Sequence, residues 1–94
     1  MNITGFIWIE EFEDKIFRKH GVTCEGAEQV FFNRPNFRFM ERGNKPGEDV
    51  YAAFGQTDAG RYLTVFFIHK RTGEALIVSA RPMTGRERRS YGRR

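Results

Sequence analysis

Between residues 37 and 80 the chain carries four short apolar segments rich in β-branched and aromatic residues, joined by connections too short to hold a helix. Phe37 and Phe39 alternate with Arg38 and Met40 in the first segment. A polar loop over residues 41–47, containing Gly43, Pro46 and Gly47, leads to a second segment at 50–54. The turn at 55–60 leads to a long third segment at 61–69, and Arg71-Thr72-Gly73 leads to a fourth at 74–80. Strands joined so tightly pair antiparallel, because a parallel pair needs a crossover of a dozen residues or more. The second half of the chain is therefore predicted to be an antiparallel four-stranded sheet.

The first half reads differently. Residues 6–9 are apolar and β-prone, a first strand or an extended entry. Residues 11–20 then favour a helix, with Phe12 and Ile16 one turn apart on a shared face. Acids crowd its first turn and Arg18, Lys19 and His20 its last, matching the helix dipole. Gly21 suits the left-handed residue that follows a helix. Thr23 can cap a second helix running through Ala27, Val30 and Phe31, until Arg34-Pro35 stops it. At the other end, Thr84-Gly85-Arg86-Glu87 is a capping box that opens a third helix over residues 85–91. The expectation is one small α+β domain over residues 1–94, with two N-terminal helices and one short C-terminal helix. Ten phenylalanines supply much of its core.

Charge is divided unevenly between the halves. Residues 1–50 hold seven Lys/Arg against nine Asp/Glu, whereas residues 51–94 hold nine against three. Arg86, Arg88, Arg89, Arg93 and Arg94 cluster on and beyond the last helix, which suits a polyanion and RNA in particular. The competing reading folds the acidic first helix against the basic last one, or leaves both solvated. No run of eighteen apolar residues exists to cross a membrane, and nothing at the N-terminus reads as a signal peptide, so a cytoplasmic protein is expected. A single cysteine, Cys24, is too little for a disulfide or a zinc site. Neither metal nor cofactor is expected.

The Arg71-Thr72-Gly73 connection fits a three-residue hairpin loop with glycine in the left-handed position. In the register this implies, Lys70 faces Glu74 and Leu63 faces Arg81. Arg61 and Arg81 then share one face at one end of the sheet, where two guanidinium groups could clamp a phosphate. The alternative is that each arginine pairs with an acid such as Asp58 or Glu87.

At these spacings the chain resembles the BrnT-type toxins, the ribonuclease half of a bacterial toxin–antitoxin pair. The resemblance begins at Trp8 and continues through Lys19-His20-Gly21-Val22, with Glu25, Ala27, Val30 and Phe31 behind it. Glu48 with Tyr51, Gly55, then Gly60-Arg61 with Leu63 and Val65 follow in order. It closes on Ile77-Val78-Ser79-Ala80-Arg81, Met83-Thr84, Glu87-Arg88-Arg89 and Tyr91. The resemblance implies a RelE-like α+β fold and metal-independent cleavage of RNA through its 2′-hydroxyl. It also implies a cognate antitoxin with a ribbon-helix-helix DNA-binding part, joined with the toxin in a 2:2 complex. Operator DNA is then met only through the antitoxin. The chain departs from the family pattern at three positions. Phe12 and Ile16 stand where a lysine and an asparagine are usual, and Val50 stands where an arginine is common. These departures define the alternative, a member that binds its antitoxin or nucleic acid without cleaving.

Such cleavage requires a group to move the 2′-hydroxyl proton, charge stabilisation at phosphorus, and a proton for the leaving 5′-oxygen. Arg61 and Arg81 suit the charge-stabilising role, since guanidinium stays protonated. His20 is the natural acid–base group, with the helix-end cation as its structural alternative. The family pattern adds Glu48 as a base, although hairpin pairing sets it near Ile68, roughly 23 Å along the strand from Arg61. Lys19, Arg86, Arg88 and Arg89 are candidate substrate-binding cations. Tyr91 is a candidate for stacking on a base, or an anchor for its helix.

Overall fold

The computed structural model describes residues 1–93, so Arg94 of the basic cluster lies outside the described residues. Along the chain come β1 (Gly5–Trp8), α1 (Glu10–His20), α2 (Cys24–Phe32), β2 (Asn36–Glu41), β3 (Val50–Gln56), β4 (Tyr62–His69), β5 (Glu74–Pro82) and α3 (Gly85–Tyr91). The helix ends follow their local chemistry. Gly21 takes φ +63° and its N–H donates to Phe17 O, closing α1. Thr23 Oγ1 accepts from Gly26 N–H at 2.9 Å to open α2. Beyond α2, Arg34 takes φ +53° directly before Pro35, whose ring disfavours helical geometry in the residue preceding it. Both bonds of the capping box form at α3.

β2 to β5 pair antiparallel, as their short connections demand. The sheet, however, has five strands in the order β1-β5-β4-β3-β2 and is mixed, which corrects the four-stranded antiparallel expectation. β1 runs parallel to β5, with Gly5 opposite Glu74 and Trp8 opposite Ile77. The physical reason is coverage. Ala75 and Ile77 are fully buried in β5, and Phe6 and Trp8 pack against the cluster they belong to. Trp8 also donates its indole N–H to Glu28 of α2 at 2.7 Å, tying the edge strand to the helix layer.

The β4–β5 hairpin decides which side chains share a face. Its turn forms as the sequence predicts: Lys70 N–H donates to Glu74 O and Gly73 N–H to Lys70 O, both at 2.9 Å, with Gly73 at φ +93°. The predicted register holds from His69 opposite Ala75 to Phe67 opposite Ile77. A β-bulge then intervenes at Val78, so Phe66 faces Ser79 and Thr64 faces Arg81. Leu63 faces Pro82, not Arg81.

Two cores result. Ile16, Val22, Ala27 and Val30 of the α1–α2 layer pack on Ala53, Leu63, Val65, Phe67, Ala75, Ile77 and Ala80. On the opposite face, α3 brings Tyr91 against Ala52 and Phe54, with Tyr62, Phe66 and Met83 alongside. The acidic first helix and the basic last helix thus pack on different faces, and do not fold against each other. α2 approaches β3 so closely at Gly55 that a Cβ there would sit 3.0 Å from Val30 Cγ1. No helix among the described residues is long and apolar enough to cross a membrane.

Candidate functional site

β1 ends opposite Ile77, which among the described residues leaves 78–82 of β5 without a strand on their outer side. The C-terminal half of α1 runs beside that free stretch. Between them lies a cleft of about 260 Å³ lined by Phe12, Lys15, Lys19, His20, Val78 and Ser79. Lys15 and Lys19 are exposed one helical turn apart, and His20 is half-buried. At the bulge both Val78 and Ser79 line the cleft, whereas Arg81 beyond it turns to Glu87 of α3.

Arg61 meets the end of α1 that carries His20. Its Nη2 donates to His20 O at 2.6 Å and its Nη1 to Gly21 O at 3.1 Å. These are carbonyls at the negative end of α1, where a cation is favoured. Arg61 therefore ties the β3–β4 turn to the helix end that carries His20.

Arg81 is organised by an acid. Its Nη1 and Nη2 donate to Glu87 Oε1 and Oε2 at 2.7 and 2.9 Å, and Nη1 also reaches Pro82 O at 3.1 Å. The guanidinium lies 5.2 Å from the centroid of the Phe66 ring. Glu87 Oε1 accepts further bonds from Thr64 Oγ1 at 3.0 Å and Thr84 N–H at 2.9 Å. With Arg81 as the main cause, and Thr84 and Thr64 adding to it against burial, the Glu87 carboxyl is held down at about 2. The same pairing raises Arg81 above its ordinary value. Ser79 and Arg81, paired with Phe66 and Thr64, lie on one face about 7 Å apart along β5.

The predicted site residues are thus divided. Lys19 and His20 meet Ser79 in the cleft, and Arg81 lies two residues farther along the strand. Arg61 and Arg81 do not share a face, because the bulge moves Arg81 one residue out of the predicted register; Arg61 bonds the α1 end and Arg81 faces α3. Glu48 stands at the far end of the sheet, next to Asp49, whose carbonyl accepts from His69 N–H at 3.3 Å. Arg86, Arg88 and Arg89 are exposed on α3, with the Arg88 guanidinium 4.0 Å over the Tyr62 ring. Tyr91 is buried, and its hydroxyl donates to Arg34 O at 3.2 Å, which makes it the anchor of α3. Cys24 has its thiol pushed up to about 12, by burial first and then by Glu13. Sequence reasoning missed Lys15, although its four-residue spacing from Lys19 placed both on one helix face. It also missed Ser79, whose direction depends on a bulge hidden inside a continuous apolar run. Among the described residues, no three His, Cys, Asp or Glu side chains gather as a metal-ligand set.

Residues 8–87 match the family described as the ribonuclease toxin, BrnT, of type II toxin–antitoxin systems. A search of curated proteins finds no matching relative. Among solved structures, the chain is similar to the crystal structure of the Brucella abortus ribonuclease toxin BrnT. The two superpose with a TM-score of 0.63 at 17% identity, over 85% of this chain and 96% of that one. At that identity the likeness carries the fold, and the family match carries the relationship. With residues 8–87 aligned to it, this chain belongs to the BrnT family of ribonuclease toxins of type II toxin–antitoxin systems.

Proposed function

We propose that this protein, as one toxin domain over residues 1–94, is a metal-independent endoribonuclease that cleaves RNA through the 2′-hydroxyl. The observation that supports this reading is the meeting of Lys19, His20 and Ser79 in one cleft at the free edge of β5, with Arg81 two residues along the same strand on its α3 side. His20 moves the 2′-hydroxyl proton, since an imidazole can both accept and donate one. Arg81 stabilises charge on the phosphorus oxygens, with its fork aligned by Glu87 and its face by Phe66. Lys15 and Lys19 hold the neighbouring phosphates. Arg61 acts one step back, fixing the carbonyls of His20 and Gly21. Arg86, Arg88 and Arg89 track the backbone from α3. Glu48, at the far end of the sheet, has no part in this reading.

As a type II toxin the chain has a cognate antitoxin. The ribbon-helix-helix part, the 2:2 stoichiometry, operator contact through the antitoxin and action in the cytoplasm complete the proposal. A specific observation favours a non-cleaving member as second reading. Phe12 lines the cleft, Ile16 is buried in the core and Val50 pairs with Ile68, so the three positions where the family commonly has polar groups are apolar here.

The test is incubation of wild type, His20→Ala and Arg81→Ala with total RNA in EDTA. Cleavage by wild type, leaving 2′,3′-cyclic phosphate ends, should fall about a hundredfold or more in each variant. Equal cleavage by all three would locate the chemistry elsewhere. Intact RNA with wild type, with and without ribosomes, would favour the non-cleaving reading.

A further inference from the structure

Glu87 has a second side. Away from Arg81, it lines a half-open groove of about 500 Å³ between β2 and α3, shared with Asn36, Arg38, Phe54, Ser90 and Tyr91. One wall is the Phe54 ring, with the Arg38 guanidinium 5.6 Å from its centroid. Tyr91 and Phe54 are nearly fully buried, so the lining behind the opening is aromatic. Asn36 opens β2 at the sheet edge and contributes an amide, while Ser90 contributes a hydroxyl from α3.

This chemistry discriminates between the parts of a nucleotide. The Glu87 carboxylate lines the groove as an acceptor, so a group that donates N–H fits beside it. Its Oε1 already accepts from Arg81, Thr64 and Thr84, but among the described residues Oε2 accepts from Arg81 alone and retains acceptor capacity. A flat neutral ring with N–H donors meets these conditions: it packs against the Arg38 guanidinium and the aromatic lining, donates to Oε2 and accepts from Arg38 or Asn36. Because Glu87 touches Arg81 on its other side, a ring in the groove sits one side chain away from a phosphate held by Arg81.

We infer that the groove between β2 and α3 is a nucleobase subsite that seats one base of the RNA strand beside Arg81, preferring guanine. Guanine can donate an N–H to Oε2 while its adjacent O6 and N7 accept from the two prongs of the Arg38 guanidinium, an acceptor pair that adenine, cytosine and uracil lack. The RNA identity of the ligand rests on the ribonuclease reading; base binding itself does not require cleavage.

The experiment is an amide NMR titration of the wild-type chain with GMP, AMP, CMP and UMP, repeated with Arg38→Ala and Asn36→Ala. Arg38 is exposed on an edge strand, so its variant should keep the wild-type spectrum away from the groove. GMP should shift Asn36, Arg38, Phe54 and Ser90 amides and bind about tenfold tighter than UMP, the worth of one charge-assisted hydrogen bond. Arg38→Ala should remove most of that difference. Equal responses to all four nucleotides, or shifts confined to the α1–β5 cleft, would overturn the subsite. Guanine-selective shifts in a protein that leaves RNA intact would uphold the subsite and count against cleavage alone. Where wild type does cleave, guanine enrichment at the cut sites should flatten in Asn36→Ala.

Discussion

At the scale of single residues, Glu87 has the widest reach. It closes the capping box of α3, aligns Arg81, and binds Thr64 on the sheet. One carboxylate therefore joins helix, strand and candidate phosphate ligand. Its depressed value of about 2, against an ordinary 4.5, sets the sign of a pH effect. A carboxyl with a lowered folded-state value stabilises the fold above its unfolded value, and that stability drains as pH falls from about 4.5 towards 2. Glu87→Gln should therefore cost about 2 kcal/mol at pH 7, less than the full linkage value because the pair still touches solvent. In urea titrations from pH 7 to pH 2, the gap between wild type and variant should narrow across that window. A gap independent of pH would show that the pair contributes through packing alone. Arg61 teaches the complementary lesson. It was predicted beside Arg81 but caps α1, because the choice between faces turned on one bulged residue that no local pattern marks.

At the scale of elements, the helices were the most legible part of the chain. Gly21, Thr23, Pro35 and the Thr84–Glu87 box act within a few residues of themselves, so their geometry follows from local sterics and hydrogen bonding. The β4–β5 turn was equally local and equally readable. The bulge at Val78 was not. Ala75, Leu76, Ile77 and Val78 are all apolar, so no alternation signals where the buried set moves from Ala75 and Ile77 to Ala80. Packing between elements gives a second prediction. Gly55→Ala would place a Cβ 3.0 Å from Val30 Cγ1 and 3.2 Å from Val30 O, so α2 must lift from β3. The expected loss is about 1–3 kcal/mol. Chemical denaturation checks it, and pairing the change with Val30→Ala should recover part of the loss if the side-chain contact is its source.

At the scale of the whole molecule, the parallel β1 strand closes the sheet. It contributes Phe6 and Trp8 to the main core and bonds α2 through Glu28. Each large apolar side chain removed from a core costs about 2–5 kcal/mol, against a total stability of about 5–15 kcal/mol for a small domain. A chain lacking residues 1–8 should therefore lose its cooperative thermal transition, as circular dichroism would record. Retention of a sharp transition would mean that β5 tolerates an open edge. The sequence by itself determined the helices and their caps, the antiparallel run from β2 to β5, the hairpin turn and, through motif spacing, the BrnT family. All of these depend on neighbours along the chain or on the order of short motifs. Tertiary structure decided where β1 pairs, which face receives Arg61 and which Arg81, and the gathering of Lys15, Lys19, His20 and Ser79 in one cleft. Those outcomes depend on contacts between residues far apart in the chain, and a one-residue register shift reverses the face of every side chain beyond it.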